Sequence, residues 1–350
     1  MPYVAETIES ILSQTFTDFK YIIIDDGSTD GSQECIRSYA DERIRFILNE
    51  QNLGTSGSMN KGIALANAPF IARMDHDDVS LPTRIAAQWE LFQRHPELAV
   101  SCTWEYGIDG EGRKVRRWQS TIENVGAFLG PILVGKCPIW HPSLMARSQA
   151  LQAVGGFSTN YQPVEDFELT IRLALAGYRA AIVPEYLVLQ RHHGRRQSVT
   201  KLARQMTMSN TVHDEVLQRF FKGPQHQREQ LGKFLRLDSN FWAHCKNKRD
   251  WFGVLEDLDA CLESVIKKYS LSDTESATLK RVIENRIGNS LRYRKFLQMI
   301  PSPVFFSTLF CISPLLLPRV RSFAAVAFEV IQELRYPMRL ARAGLERRAI

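Results

Sequence analysis

The sequence lacks the cysteine pattern of a disulfide-rich or zinc-binding protein. Its 350 residues include six cysteines, which are scattered along the chain and form no C-x-x-C pair. We interpret them as reduced thiols, which excludes a disulfide framework and a zinc site of the usual spacing. The chain also lacks low-complexity tracts and internal repeats, so solenoid and other repeat architectures are excluded as well.

A large excess of one charge is missing too. The 44 Lys and Arg residues stand against 38 Asp and Glu, which gives a formal charge of +6. So small an excess suits nucleic acid, an anionic membrane or an anionic substrate equally well. The basic residues show no aromatic interleaving, so we expect no nucleic-acid partner. The N-terminus, MPYVAETIES, is amphipathic and acidic, which predicts a cytoplasmic protein without a secretory signal.

Strand-like and helix-like segments alternate through the first half of the chain. The predicted strands are 19–24, 44–48, 70–74 and 99–103, and the predicted helices are 7–14, 32–39, 63–67 and 82–94. This alternation predicts an α/β fold with a mostly parallel sheet flanked by helices. Ligands of such sheets bind outside the carboxyl ends of the strands. From about Val199 onward the patterns become long and helical, which predicts a boundary there.

The first acidic cluster follows the strand-like run in "FKYIIIDDGSTDGS". Asp25 and Asp26 stand where the predicted strand ends, and Gly27 and Gly31 would let the backbone approach a ligand closely. A carboxylate here can accept hydrogen bonds from a base or a ribose hydroxyl. The alternative is an Asp-rich turn that caps the following helix, and both interpretations can hold together.

The second acidic cluster, in "FIARMDHDDVSLP", concentrates negative charge within four residues. Asp75 and Asp77 form a D-x-D turn, and Asp78 follows directly. These carboxylates repel one another, and a divalent cation shared with a substrate diphosphate would relieve that repulsion. The alternative is a solvated acidic turn before the next helix. The position of the cluster at a strand end favours the ligand site.

A third acidic group opens the helical stretch "PVEDFELTIRLALAGY". Glu165, Asp166 and Glu168 fall in its first turn, where the helix dipole favours negative charge. We keep this structural interpretation for Glu168. Glu165 and Asp166 are adjacent and follow a flexible stretch, which suits a general base.

Basic residues and histidines follow the strand-like "YLVLQ" in "QRHHGRRQS". A single histidine is usually structural. Here His193 lies close to Arg191 and two further arginines, a combination that suits a phosphate or metal site.

Four motifs in this order, D-D-G-S, D-x-D-D, E-D and R-x-H, resemble the family 2 glycosyltransferases with the GT-A fold. The similarity runs from about Tyr3 to Ser198. It implies a GT-A domain over 1–200. The sequence pattern after it predicts a helical region over 201–295 and an apolar segment with a basic tail over 296–350. The resemblance also implies a nucleotide-activated sugar donor, commonly UDP-linked, and inversion at the anomeric carbon.

The resemblance assigns roles to the donor-binding residues. Asp25 and Asp26 would contact the nucleobase and ribose, and Asp75 would bind ribose or metal-bound water. Asp77 would coordinate Mg²⁺ or Mn²⁺, and His193 would be a diphosphate or third metal contact.

The resemblance also assigns the transfer residues. Asp166 would deprotonate the acceptor hydroxyl with Glu165 beside it, and Gly156 and Phe157 would shape the acceptor site. Arg191 would help to stabilise the leaving diphosphate, since in-line displacement needs positive charge on that side.

One feature departs from the family. Its members begin with a central strand of the VSVIIPxYN type, and here Met1 falls where the loop after that strand enters the first helix. We expect a start codon assigned too late. The alternative is an inactive membrane-associated protein that binds sugar nucleotides. A sugar-nucleotide pyrophosphorylase is less favoured, because the sequence shows no Gly-rich phosphate loop with basic residues near the N-terminus.

The segment 296–318 carries no charge over 23 residues. Prolines interrupt it and basic residues flank both ends, which argues against a single membrane crossing. We expect a surface-bound or re-entrant segment at the inner face of the membrane, with a buried core segment as the alternative. Membrane association would suit a lipid-linked or cell-envelope glycan acceptor.

Overall fold

The computed structural model describes residues 3–193, 202–236, 238 and 248–292. Its helices are α1 (Val4–Leu12), α2 (Ser32–Arg37), α3 (Gly54–Leu65), α4 (Arg84–Arg94), α5 (Val125–Leu133), α6 (Ser148–Ala153), α7 (Glu165–Leu175), α8 (Leu202–Phe220), α9 (Gln225–Arg236), α10 (Lys248–Tyr269) and α11 (Asp273–Arg292). Its strands are β1 (Tyr21–Asp25), β2 (Ile44–Leu48), β3 (Phe70–Ala72), β4 (Val79–Ser80), β5 (Leu98–Ile108), β6 (Lys114–Trp118), β7 (Met145–Arg147) and β8 (Arg179–Arg191).

The strands form two sheets. β1 and β2 make a parallel pair, and the larger sheet has the order β3-β7-β5-β8-β4 with β6 paired to β5. In that larger sheet β5 and β8 are parallel, and the other pairs are antiparallel. The α/β prediction is therefore confirmed, but the sheet is mixed and not mostly parallel. β6 shows one reason, because a tight turn at Asp109–Gly112 returns it directly beside β5.

The predicted element limits hold well for β2 and less well for α3. The sequence analysis predicted this helix over 63–67, whereas α3 already begins at Gly54. Here the glycines allow close packing instead of a turn, since a Cβ on Gly54 would lie 3.3 Å from the side chain of Gln162. β5 continues to Ile108 instead of ending at Thr103, because its second half pairs with both β6 and β8.

The C-terminal helical region is confirmed, and it shares one hydrophobic core with the α/β part. Phe128 of α5 is buried in the same cluster as Leu217 of α8 and Leu279 of α11. α5 meets α11 closely, since a Cβ on Gly126 would overlap the carbonyl oxygen of Glu275. The predicted division of the chain near residue 200 stays a prediction.

Within the described ranges, every helix is too short or too polar to cross a bilayer. The apolar segment 296–318 and the basic tail after it lie outside the described residues. β1 and β2 form no hydrogen-bonded ladder with the larger sheet in the part of the chain that the structure describes.

Candidate active site

The end of β1 places Asp25 in a tight turn. Its Oδ1 accepts hydrogen bonds from the backbone N–H groups of Gly27 and Ser28, at 3.1 and 2.9 Å, and from the side-chain amide of Gln33 at 3.0 Å. Gly27 has a φ of +93°, a conformation that favours glycine. Asp25 therefore shapes the loop that Asp26 belongs to, and its contact with a nucleobase stays a prediction.

Asp26 is held by donors from the start of α3 and the end of β2. Its Oδ1 accepts from the Leu53 N–H and the Asn49 side-chain amide, both at 2.8 Å, and Lys61 Nζ donates to Asn49 Oδ1 at 2.7 Å. Partial burial raises the pKa of Asp26, but these bonds and one from Ser58 outweigh it and bring the pKa below its usual value. Asp26 is thus an ionised acceptor at any physiological pH.

The D-x-D turn brings three carboxylates together. Asp75, Asp77 and Asp78 each offer an oxygen within 4.8 Å of the others. His193 Nε2 lies 2.9 Å from Asp77 Oδ2, and Asp78 Oδ1 accepts from the backbone N–H of Arg191 at 2.7 Å. The D-x-D and R-x-H motifs meet because β4, which follows the first motif, pairs with β8, which precedes the second.

This set of side chains fits a divalent cation. Carboxylate oxygens are the ligands that Mg²⁺ and Mn²⁺ prefer, and a cation would offset the repulsion among buried acids. Asp77 is 8% exposed, while Asp78 is completely buried and bonded to the backbone of Arg191. Asp75, Asp77 and His193 are therefore the residues that would hold the metal.

Arg191 holds the D-x-D turn in place. It is 2% exposed, its Nη2 lies 2.5 Å from Glu6 Oε2, and its Nε donates to the carbonyl oxygen of Asp77 at 3.1 Å. Its guanidinium also covers the ring of Tyr3 at 4.3 Å. These contacts fix α1 to the acidic turn, and the predicted contact of Arg191 with a diphosphate stays a prediction.

The first turn of α7 presents Glu165 and Asp166 in a poorly solvated place. Burial raises the pKa of both carboxyl groups. The Phe167 N–H, which donates to Asp166 Oδ1 at 2.7 Å, and the positive charge of Arg73 oppose that rise for Asp166. Glu168 instead pairs with Arg172 at 2.6 Å, in line with its structural interpretation.

Gly156 and Phe157 are held by a residue that the sequence analysis missed. The side-chain amide of Asn60 donates to the Phe157 carbonyl and accepts from the Phe157 N–H, both at 2.7 Å. Gly156 has a φ of +66°, and a Cβ there would overlap Asn60 Oδ1. Because Asn60 lies on α3, one helix connects the loop at Asp26 with the predicted acceptor site.

The sequence analysis also missed Arg73 and His141. Arg73 pairs with Asp75, and its charge affects the pKa of Glu165 and of Asp166. The available signals were an arginine two residues before the D-x-D motif and a histidine in "IWHPS". Neither pattern specifies a ligand by itself.

Comparisons with known proteins show which family the chain resembles. Residues 1–148 match the model of the family described as glycosyl transferase family 2. The chain is 29% identical over 210 residues to an uncharacterised glycosyltransferase of Methanocaldococcus jannaschii, covering 59% of this chain and 72% of the relative. It is 31% identical over 188 residues to EpsE of Bacillus subtilis, named as a glycosyltransferase, covering 52% of this chain and 66% of the relative.

The resemblance to glycosyl transferase family 2 is therefore confirmed over residues 1–148, and the predicted enzyme class, a glycosyltransferase, is confirmed as well. The fold is similar to that of S. aureus TarS 1–349, solved in complex with UDP-GlcNAc. The TM-score is 0.52 and the identity 16%, covering 84% of this chain and 88% of TarS. At this identity the likeness concerns the fold alone, and it agrees with the GT-A prediction.

Proposed function

We propose that this protein is an inverting, metal-dependent glycosyltransferase that moves a sugar from a UDP-sugar to a cell-envelope or lipid-linked glycan. The observation that carries the proposal is the pairing of two acidic groups through Arg73. On one side Arg73 contacts Asp75 of the D-x-D turn, and on the other its charge acts on Asp166. A donor diphosphate and an acceptor hydroxyl need groups of these two kinds on opposite sides of the transferred sugar.

The donor would bind at the D-x-D turn and the end of β1. Asp25 and Asp26 would take the nucleoside, and Asp75, Asp77 and His193 would hold Mg²⁺ or Mn²⁺. When bound, the metal supplies positive charge that stabilises the leaving diphosphate. The UDP-GlcNAc complex of TarS supports a UDP-linked donor on this fold.

The transfer step would use Asp166 as the base. Its carboxylate takes the proton of the acceptor hydroxyl while the acceptor oxygen forms a bond to the anomeric carbon. The bond from that carbon to the diphosphate oxygen breaks, and the electron pair leaves with the nucleoside diphosphate. Attack opposite the leaving group inverts the configuration. The raised pKa of Asp166 brings its basicity closer to neutral pH than that of an ordinary aspartate.

An anionic acceptor is supported by the charge on β6. Lys114, Arg116 and Arg117 are exposed on this strand. The strand lies beside the site, because Trp118 at its end stacks on His192 with 5.0 Å between the ring centroids, and His193 comes next. A basic hairpin at the site would attract a lipid-linked diphosphate glycan or an anionic membrane surface.

The alternative function is a sugar-nucleotide-binding protein without turnover. The observation in its favour is that, among the described residues, β1 and β2 are not hydrogen-bonded to the larger sheet. The predicted nucleoside contacts Asp25 and Asp26 lie at the end of β1, so they are not fixed by that sheet to the residues proposed for the transfer step. Such a protein would bind the donor and metal as above but would release no nucleoside diphosphate.

Thermal unfolding with UDP-GlcNAc, UDP-glucose and GDP-mannose, each with and without Mn²⁺, tests the proposal. A ligand at 100 times its dissociation constant adds about 2.7 kcal/mol to the free energy of unfolding. We expect a Mn²⁺-dependent shift with one donor, lost in Asp77→Ala and kept in Asp18→Ala, an exposed aspartate. Release of UDP or GDP on addition of membrane extract then separates an enzyme from a binding protein. The absence of a shift with every donor would contradict both functions.

A further inference from the structure

Arg73 carries buried donors that the protein itself leaves unused. The residue is 9% exposed, and its Nη2 pairs with Asp75. Its Nε and Nη1 are buried and find no hydrogen-bond partner among the residues that the structure describes. An unpaired buried donor lowers stability, and more so on a charged group. Proteins seldom leave two such donors on one side chain unless a ligand uses them.

Two neighbours share this property. Within the described part of the chain, His141 Nε2 and Glu165 Oε2 are also buried without a hydrogen-bond partner. His141 is linked to Arg73 through Leu144, which accepts from the Arg73 N–H at 2.8 Å and donates to the His141 carbonyl at 3.1 Å. Arg73 also acts electrostatically on both groups, so the three side chains lie in one region of the structure.

Packing fixes the positions of Arg73 and His141. The Arg73 carbonyl accepts from Arg84 Nη2 at 2.7 Å, and Arg84 is 1% exposed. The His141 ring packs edge-on against Phe157 with 5.2 Å between the centroids, and Asn60 grips the backbone of Phe157. A subsite whose side chains are fixed before binding loses little entropy when the ligand arrives.

We propose that Arg73, His141 and Glu165 form a subsite for the hydroxyl groups of the transferred sugar ring. The proposal rests on the glycosyltransferase function proposed above. The transferred ring must lie between the diphosphate and the base, and Arg73 pairs with Asp75 while its charge also acts on Asp166. Hydroxyl groups both donate and accept, and so they match the arginine donors, the Glu165 acceptor and the imidazole nitrogen.

The state of His141 supports this assignment. Burial, together with the charge of Arg73, lowers the pKa of His141 well below its usual value, so the imidazole is neutral. A neutral imidazole beside an arginine avoids repulsion and can exchange a hydrogen bond with a neutral hydroxyl. A site built on such bonds rejects sugars that lack the matching hydroxyl, because the buried groups then stay unpaired.

Binding calorimetry on the full chain with Mn²⁺ tests the subsite, using UDP and the nucleotide sugar with the largest thermal shift. The variants are Arg73→Lys, which keeps the charge, His141→Phe, which keeps a ring against Phe157, and His141→Gln, which restores a polar atom. We expect the affinity for UDP to change less than twofold in the two His141 variants, and in Arg73→Lys to fall by less than the affinity for the nucleotide sugar, because Arg73 also contacts Asp75. The affinity for the nucleotide sugar should fall roughly 10- to 100-fold in Arg73→Lys and His141→Phe and recover in part in His141→Gln.

Donors lacking single ring hydroxyls sharpen the test. Wild-type protein should bind one such analogue more weakly than it binds the complete donor. His141→Phe or Arg73→Lys should bind that analogue and the complete donor equally, because the contact with the missing hydroxyl is already lost. Equal weakening of UDP and nucleotide sugar would overturn the subsite and leave these residues a structural role. Unchanged binding of the sugar by the variants would overturn it as well. If wild-type protein binds neither UDP nor any nucleotide sugar, the proposed function fails, and the subsite fails with it.

Discussion

The two ends of the candidate site, at Asp26 and at Asp166, treat their carboxylates in opposite ways. Asp26 receives hydrogen bonds from the backbone of Leu53 and the side chain of Asn49, and these bring its pKa below the usual value despite partial burial. Asp166 lies where burial dominates, and its pKa is raised. One end is therefore an ionised acceptor in a satisfied network, and the other keeps a carboxylate poorly solvated.

This difference separates recognition from chemistry. A recognition group works best when it is fully ionised and fixed by neighbouring donors. A base needs a pKa near the working pH, and the protein obtains it by leaving the carboxylate short of water. The comparison suggests that the protein gives up stability at Asp166 and gains it at Asp26.

The largest expected effect is that of Asp166→Asn on turnover. Removing the base should lower kcat about 10²- to 10⁴-fold while the donor affinity stays within a few-fold of wild type. Release of nucleoside diphosphate measures kcat, and calorimetry measures donor binding. A loss of donor affinity equal to the loss of kcat would contradict the separation of the two ends. Asp18→Asn, at an exposed site, is the control.

The pH dependence follows from the same raised pKa. The ionised form of Asp166 is the active base, so kcat/KM should fall as the pH drops through a value above that of an ordinary aspartate. The folded state binds the proton more tightly than the unfolded state, so stability declines as the pH rises from the unfolded to the folded pKa. Asp166→Asn should therefore raise the melting temperature at neutral pH. An unchanged or lower melting temperature of Asp166→Asn at neutral pH would contradict the idea that the buried, ionised Asp166 destabilises the fold.

Asp77→Ala should have the next largest effect. Loss of one carboxylate beside His193 should weaken Mn²⁺-dependent binding of UDP roughly 10- to 100-fold, the range seen when a metal site is disturbed. Chelation of the metal from wild-type protein should produce a similar loss. If the variant keeps full metal dependence, the cation is held elsewhere.

Asp26→Asn should weaken recognition with little effect on chemistry. A hydrogen bond to a charged group contributes about 1.5–3 kcal/mol, so UDP should bind roughly 10- to 100-fold more weakly. At saturating donor, kcat should change less than threefold. A large fall in kcat would show that the two ends are not separable.

The smallest effect concerns the loop that Asn60 holds. Gly155 and Gly156 both have positive φ, +82° and +66°, but a Cβ on Gly155 meets nothing within 4 Å, while one on Gly156 overlaps Asn60. Gly155→Ala should cost about 1 kcal/mol from backbone strain alone. Gly156→Ala should cost more and also raise the KM for the acceptor. Equal costs in chemical denaturation would exclude coupling through Asn60.

The sequence and the structure agree best where a motif stands at a strand end. Asp77 and His193 were predicted as metal contacts and Asp75 as a contact of ribose or metal-bound water, and the pairing of β4 with β8 brings these side chains together. Their roles stay predictions. Asn60 escaped prediction because its partner, Phe157, lies 97 residues away in the chain. Arg73 and His141 escaped prediction because neither local pattern specifies a ligand by itself. The start of α3 at Gly54 was missed. Glycine in a local sequence indicates a turn, and its use for close packing is visible only when the neighbouring segment is known.

Local sequence determined the order of helices and strands, the acidic motifs and the family, because periodicity and motif spacing depend on neighbouring residues. The tertiary structure alone decided that the larger sheet is mixed, that the helical region shares the core, and that the pKa of Asp26 falls while that of Asp166 rises. Those outcomes depend on burial and on groups from distant segments, such as the Leu53 N–H, which lowers the pKa of Asp26, and the charge of Arg73, which opposes the rise for Asp166. Only folding brings such groups within a few ångströms of each other.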